Sequence, residues 1–324
     1  MRLFENDIKS GVYGLAVGDA LGVPVEFTAR EIRDKDPVRE MRAYGTHNQP
    51  KGTWSDDTSM VLATMDALDT GRLSLGMIMD MFHEWLFNGD YTAGGKVFDV
   101  GNTCYNAINN WRMGEPLDRC GESDVHSNGN GSLMRMLPIA YYLYLSKGAV
   151  IDEKAIEIIF SLSGITHNHI ISKICCVYYV YIAMYIMLEK DQRKLNTIII
   201  EAIRDVDKFI MKNYKEDYCQ IYNHIKHTSF KYSVSLNRGY IKSTGFVVDS
   251  LEASIWCLYN THSYREAVEL AVNLGGDTDT IGAITGSLAG LYYGIENIPK
   301  EWVEELQNKN LINSICDRFY EQYK

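Results

Sequence analysis

Residues 7–22 read DIKSGVYGLAVGDALG, and residues 281–294 read IGAITGSLAGLYYG. The first stretch has a capping residue at its start, Asn6 or Asp7, and no proline, so it reads as a helix. Its glycines at 11, 14, 18 and 22 fall on nearly one face. The second carries Gly282, Gly286, Gly290 and Gly294 at strict four-residue spacing. A glycine inside a helix costs roughly 1 kcal/mol relative to alanine. Two such stripes make sense where another backbone must come close. The expectation is that these helices press together or against other elements; pressed together, they would also bring the neighbourhood of Glu26 to that of Asp277.

Working outward, the same helical bias holds along the chain. It has 324 residues, 46% of them hydrophobic and 23% charged, as in ordinary globular proteins. Its six prolines form no linker. Period-2 alternation is scarce, so the expected fold is all-α: a single compact orthogonal helical domain over residues 1–324. Further helices are expected at 55–69, 74–88, 98–112, 152–163, 168–189, 196–213, 217–226, 246–260, 263–273 and 300–322, with another near Pro138. Residues 28–54 and 113–134 read as loops. The stretch 213–245, rich in Tyr, Lys and His, matches no motif.

A net charge of −10 argues against a nucleic-acid or anionic-membrane surface. The uncharged stretches 174–188 and 281–295 fall short of the ~20 residues a bilayer span requires and read as core helices. Seven cysteines without a CxxC pattern point to reduced, buried thiols and a cytoplasmic location.

Two short acidic runs concentrate hard oxygen ligands: Ser55-Asp56-Asp57-Thr58 and Asp277-Thr278-Asp279-Thr280. Each opens a helical segment. Each packs two carboxylates and hydroxyls into four residues, the donor chemistry of Mg²⁺, Mn²⁺ or Ca²⁺. Taken alone, the first run reads as a helix cap with acids favoured by the macrodipole. Adjacent acids point in different directions on a helix, so they serve two ions, or one from the side. The second run follows Gly275-Gly276 and leads into small apolar residues, where carboxylates are costly unless paired or metal-bound. It lacks the twelfth-position acid of a calcium loop.

Three other segments carry weaker signals. Ser127-Asn128-Gly129-Asn130-Gly131-Ser132 precedes a helix, and its backbone N–H groups suit a phosphate; it also reads as a plain surface turn. His167 and His169 are two apart, not the helical spacing of a zinc pair. Each reads equally as a ligand-facing or a structural histidine. Asp99 caps a helix or faces a pocket, and nothing local decides between them.

Five ordered segments together resemble the ADP-ribosylglycohydrolase family: 18–27 (GDALGVPVEF), 52–58 (GTWSDDT), 129–135 (GNGSLMR), Thr166-His167 and 275–282 (GGDTDTIG). The resemblance runs from about residue 8 to 295. It implies an all-α fold with a dinuclear Mg²⁺ or Mn²⁺ centre in a cleft. Carried over residue by residue, the metal ligands would be Ser55, Asp56, Asp57, Asp277, Asp279 and Thr280. Ser55 stands where threonine is frequent in the family, and it keeps the hydroxyl. Glu26 would sit at the cleft mouth near the metals and ribose. Asn128, Gly129, Asn130, Gly131 and Ser132 would wrap the diphosphate, and His167 would face the ADP-ribose. Asp99, with Gly101-Asn102-Thr103, looks like the segment of the arginine-specific branch.

The resemblance thus implies hydrolysis of the bond between ribose C1″ and an arginine nitrogen in an ADP-ribosylated protein. Glu26, Asp57, Asp99 and Asp279 are the candidate catalytic carboxylates. Serine-linked and other ADP-ribose conjugates are the alternative substrates. An immunity role against an ADP-ribosylating toxin or transferase is the alternative setting.

Overall fold

The computed structural model describes residues 3–225 and 229–324. Among these residues there are seventeen helices: α1 Glu5–Gly22, α2 Arg30–Lys35, α3 Asp56–Leu68, α4 Leu75–Asn88, α5 Asn102–Arg112, α6 Leu117–Cys120, α7 Leu137–Lys147, α8 Glu153–Gly164, α9 Ile170–Glu189, α10 Leu195–Asn213, α11 Lys215–Ile225, α12 Phe230–Ser233, α13 Val247–Tyr259, α14 Tyr264–Val272, α15 Thr278–Tyr293, α16 Lys300–Glu305 and α17 Lys309–Tyr323. No strand occurs among the described residues, only isolated bridges such as Gly129 with Phe246. The fold is all-α.

The glycine stripes do what their spacing demands. Helices α1 and α15 pack along most of their length. A methyl group on Gly18 would lie 2.0 Å from the Gly282 carbonyl oxygen, and one on Gly14 would lie 2.3 Å from that of Gly286. Gly290 is held the same way, 2.2 Å from the Ser10 carbonyl. At the end of the seam Gly22 meets the Asp279 backbone, and Thr278 Oγ1 donates to the Gly22 carbonyl at 2.8 Å. Gly11 and Gly294 have other duties. Gly11 leaves room for the Tyr141 hydroxyl, and Gly294 (φ +84°) ends α15.

Around this seam the remaining helices bury one face or all faces. α10 buries Leu195, Ile198, Ile199, Ala202, Ile203, Val206 and Ile210, the stripe of an amphipathic helix. α9 is apolar on every side; it is long and apolar enough to cross a membrane, yet 83% of that window is buried in the protein. It is a core helix. All seven cysteines are free, and six are buried.

The structure differs from expectation at three places. The expected helix at 98–112 begins only at Asn102, because Asp99 has φ +48° and Gly101 is the N-cap. The expected helix at 300–322 is two helices. Asn308 takes φ +40°, and Gln307 N–H donates to the Gly52 carbonyl at 3.0 Å, so a docked loop interrupts the helix. The expected loops at 28–54 and 113–134 contain the short helices α2 and α6. Residue 226, the expected end of the helix at 217–226, lies outside the described residues.

Candidate active site

The two acidic runs meet. Ser55 is the N-cap of α3, and its hydroxyl accepts from Asp57 N–H at 3.3 Å. Asp277 is the N-cap of α15 but makes no side-chain cap bond, which leaves its carboxylate free for other partners. Thr280 Oγ1 and Ser55 Oγ both donate to Asp57 Oδ2 at 3.2 Å, joining the runs directly. Two helix N-termini thus converge on one cluster of acids, and their dipoles favour negative charge there.

Asp19 sets the position of the first run. It is fully buried on α1 and accepts from Ser55 N–H at 2.9 Å, Thr58 N–H at 3.0 Å and Thr58 Oγ1 at 2.6 Å. A charged residue in the otherwise uncharged stretch 10–22 of α1 was the sequence signal for it. The second run is braced by Asn130, whose Nδ2 donates to Asp277 Oδ2 at 2.8 Å and to Ser250 Oγ at 2.9 Å. Glu26 is brought alongside by the backbone: Phe27 N–H donates to the Gly276 carbonyl at 2.7 Å, and Gly276 N–H to Thr28 at 2.9 Å.

Above the acids lies a cavity of about 240 Å³, walled by Glu26, Asp56, Asp99, Gly129, Gly131, His167, Gly245, Asp277 and Thr280 among others. Gly129 and Gly131 face it because the side chains beside them turn into the scaffold. Asn128 Oδ1 accepts from Ser172 N–H and Oγ. Ser132 Oγ pairs with Ser163 and Cys176. Asn130 N–H donates to the Gly245 carbonyl at 3.0 Å. The structure therefore brings Gly129, Asn130, Gly131, His167, Asp99 and Glu26 to the cavity wall, and gives the side chains of Asn128 and Ser132 protein partners instead.

His167 is oriented by a relay. The buried Arg135 donates to Thr166 Oγ1 at 2.9 Å, and Thr166 lies 2.9 Å from His167 Nδ1. With the threonine hydroxyl donating to Nδ1, the neutral ring carries its proton on Nε2 near Gly129 and Gly131. Burial, with the Arg135 charge second, lowers the His167 pKa to about 3, so the ring stays neutral. Cys104 in the cavity wall is no nucleophile, since burial pushes its thiol up to about 12.

The charge balance of the acids is unfavourable without a cation. Burial raises Asp19 to about 6. Burial, with Asp99 and Asp277 next, raises Glu26 to about 10. Asp56, Asp57 and Asp279 lie well above the usual range, from burial first and neighbouring carboxylates second. Asp277 is raised by burial, offset in part by Asn130. Three oxygens in this cluster, Asp57 Oδ1, Asp277 Oδ1 and Asp279 Oδ2, are buried with no hydrogen-bond partner. Buried carboxylate oxygens left unpaired in one acidic cluster are what a hard divalent cation fills. The residues present fit such a group. A second set of donors adjoins them: one atom each from Glu26, His47, Asp99 and Asp279 lie within 4.8 Å of one another. His47, like Gly245, carried no sequence signal, since each sits in an irregular segment.

Known proteins point the same way. The ADP-ribosylglycohydrolase family profile matches residues 2–324. The chain is 30% identical over 315 residues to the ADP-ribosylarginine hydrolase Tri1 of Pseudomonas putida (strain GB-1), covering 97% of this chain and 78% of that one. It is 30% identical over 300 residues to the ADP-ribosyl-[dinitrogen reductase] glycohydrolase of Rhodospirillum rubrum, covering 91% and 88%. A solved chain from an ADP-ribosylglycohydrolase-related protein complex shares the fold with a TM-score of 0.72 at 24% identity, over 99% of each chain. With the profile running almost from end to end and such relatives matched over most of their length, this chain belongs to the ADP-ribosylglycohydrolase family.

Proposed function

We propose that the protein hydrolyses the N-glycosidic bond between ADP-ribose and an arginine side chain of a modified protein, with two Mg²⁺ or Mn²⁺ ions in the carboxylate cluster. The observation that carries this reading is the set of three unpartnered, buried carboxylate oxygens beneath a cavity with glycine walls. Similarity to arginine-directed relatives supports the linkage. The residues to hold the ions are Ser55, Asp56, Asp57, Asp277, Asp279 and Thr280, with Glu26 at the mouth. Bound there, divalent cations supply Lewis acidity and a water of lowered pKa.

The chain's own groups do the rest. Gly129 and Gly131 let the sugar–diphosphate backbone approach closely, and His167 donates from Nε2 to one of its oxygens. Asp99, which keeps 25% of its side chain exposed, holds the cationic guanidinium over the cluster. As the C1″–N bond breaks through an oxocarbenium-like state, a water oxygen bonds to C1″. The water's proton passes to a cluster carboxylate and from there to the departing guanidine nitrogen, which leaves the carboxylate ionised again. Six buried, unpaired thiols support a reducing cytoplasmic setting.

The test is ADP-ribose release from arginine-linked and serine-linked peptides, with and without Mg²⁺ or Mn²⁺. Release from the arginine peptide alone, abolished by chelation and by Asp279→Ala, is expected. Full activity of Asp279→Ala at saturating cation would overturn the site. Preference for the serine peptide would overturn the linkage.

A further inference from the structure

We infer that His47 supplies a nitrogen ligand to a divalent cation held with Glu26, Asp99 and Asp279, making this a mixed nitrogen–oxygen site. The inference rests on the cation-dependent reading above and goes beyond the all-oxygen ligand set. Donor atoms of these four residues lie within 4.8 Å of one another, close enough to surround one ion. Asp279 Oδ2 is buried and has no hydrogen-bond partner, while its Oδ1 accepts from Thr280 N–H at 2.9 Å. That free oxygen is an independent sign that something bound completes the cluster.

The chain goes to some length to hold His47 there. Residues 44–49 form a tight turn closed by Tyr44 N–H donating to Gln49 at 2.5 Å. Thr46 Oγ1 donates to the Glu26 carbonyl at 2.7 Å, pinning the turn to the backbone of the acid it faces. The imidazole lies between aromatic rings, with centroids 6.2 Å away at Phe27 and 5.4 Å away at Phe98. Its side chain is 14% exposed. Of the non-glycine residues with positive φ, Phe27 (+60°), Tyr44 (+66°), Asn48 (+53°) and Asp99 (+48°) all flank this cluster. Strain of that kind persists where surrounding structure enforces it, and it gathers at ligand clamps.

The chemistry follows from the contacts. His47 Nε2 hydrogen-bonds Glu26 Oε2 and lies 3.9 Å from Asp99 Oδ2. A cation takes the place of the hydrogen bond between His47 and Glu26. Asp99 keeps its second oxygen for the guanidinium. An imidazole among carboxylates shifts a site away from Mg²⁺ and toward Mn²⁺ and later transition metals. A histidine that merely clamped Glu26 would alter the affinities of all cations alike and would place no nitrogen on the metal.

Mn²⁺ is the probe, bound to the full chain and read by electron spin-echo envelope modulation. The expected result is ¹⁴N coupling from histidine in the wild type and in His167→Asn, replaced by ¹⁵N coupling after histidine labelling and lost in His47→Asn. Mn²⁺ affinity should fall about tenfold or more in His47→Asn, while Mg²⁺ affinity, measured by competition, changes less than about threefold. Bound Mn²⁺ with no histidine nitrogen in the wild type, beside cation-dependent ADP-ribose release, overturns the His47 ligand and leaves the proposed function standing. No Mn²⁺ binding beside Mg²⁺ binding overturns the His47 ligand, and binding of neither cation overturns both. The labelled wild type reports on the ligand even if the variant fails to fold.

Discussion

Asp19 shows how much one side chain decides. It does not line the cavity of the site, yet three donors at the start of α3 end on its carboxylate. It is a positioning residue for Ser55, Asp56 and Asp57. Asp19→Ala leaves those buried donors unpartnered, and urea denaturation should report a loss of about 3 kcal/mol with weakened cation binding. Asp19→Asn, which keeps one oxygen, should restore part of both. Equal stability of Asp19→Ala and the wild type would remove Asp19 from this role. At this scale the sequence was only partly readable. Carboxylates in Asp-Asp and Asp-x-Asp runs are visible as letters. That Asn130 braces Asp277 depends on segments far apart in the chain, and that His47 faces Glu26 depends on how an irregular loop folds back.

At the scale of the element, the seam between α1 and α15 positions the whole site. Its backbones approach so closely that a single methyl group has nowhere to go. Gly18→Ala places its Cβ 2.0 Å from a carbonyl oxygen that belongs to a helix, which cannot swing aside as a side chain can. Overpacking of this kind costs about 1–3 kcal/mol or more. Because Gly22 and Asp279 touch at the end of the same seam, cation affinity should fall with stability. Gly239→Ala, which meets nothing within 4 Å, is the control and should stay within about 0.5 kcal/mol of wild type. A Gly18→Ala protein with unchanged melting and cation binding would contradict the role given to the seam. The spacing of glycines announced this contact because steric exclusion is local and periodic. The break between α16 and α17 was not announced, because the Gly52 loop that causes it is remote in sequence.

Across the whole molecule, buried carboxylates couple stability to pH. Glu252 is 4% exposed, and burial raises its pKa from 4.5 to about 7, with Asp249 adding and the Ser233 hydroxyl opposing. Between those values the folded chain holds a proton that the unfolded chain has released. Its contribution is therefore fully present below about pH 4.5 and is lost as pH rises through about 7. Glu252→Gln should flatten that decline, so the stability difference between variant and wild type grows in the variant's favour from pH 4.5 to 7, by roughly 3 kcal/mol at most. A pH-independent difference in urea midpoints would contradict it. The acids of the site share the same sign when no cation is bound. Adding Mg²⁺ or Mn²⁺ should accordingly raise the melting temperature in proportion to the logarithm of its concentration.

By itself the sequence determined the helical class, the two glycine-lined helices and the residue types able to hold a hard cation. Each of these is written in local spacing and composition: periodicity, small residues at fixed intervals, oxygen donors packed into four positions. Only the tertiary structure decided which oxygens remain unpaired, which loop side chains turn into the scaffold and which histidine joins the acids. Those outcomes depend on partners that local spacing does not reveal and that only folding brings together. Burial, not residue identity, sets whether a carboxylate is a cap, a brace or a ligand.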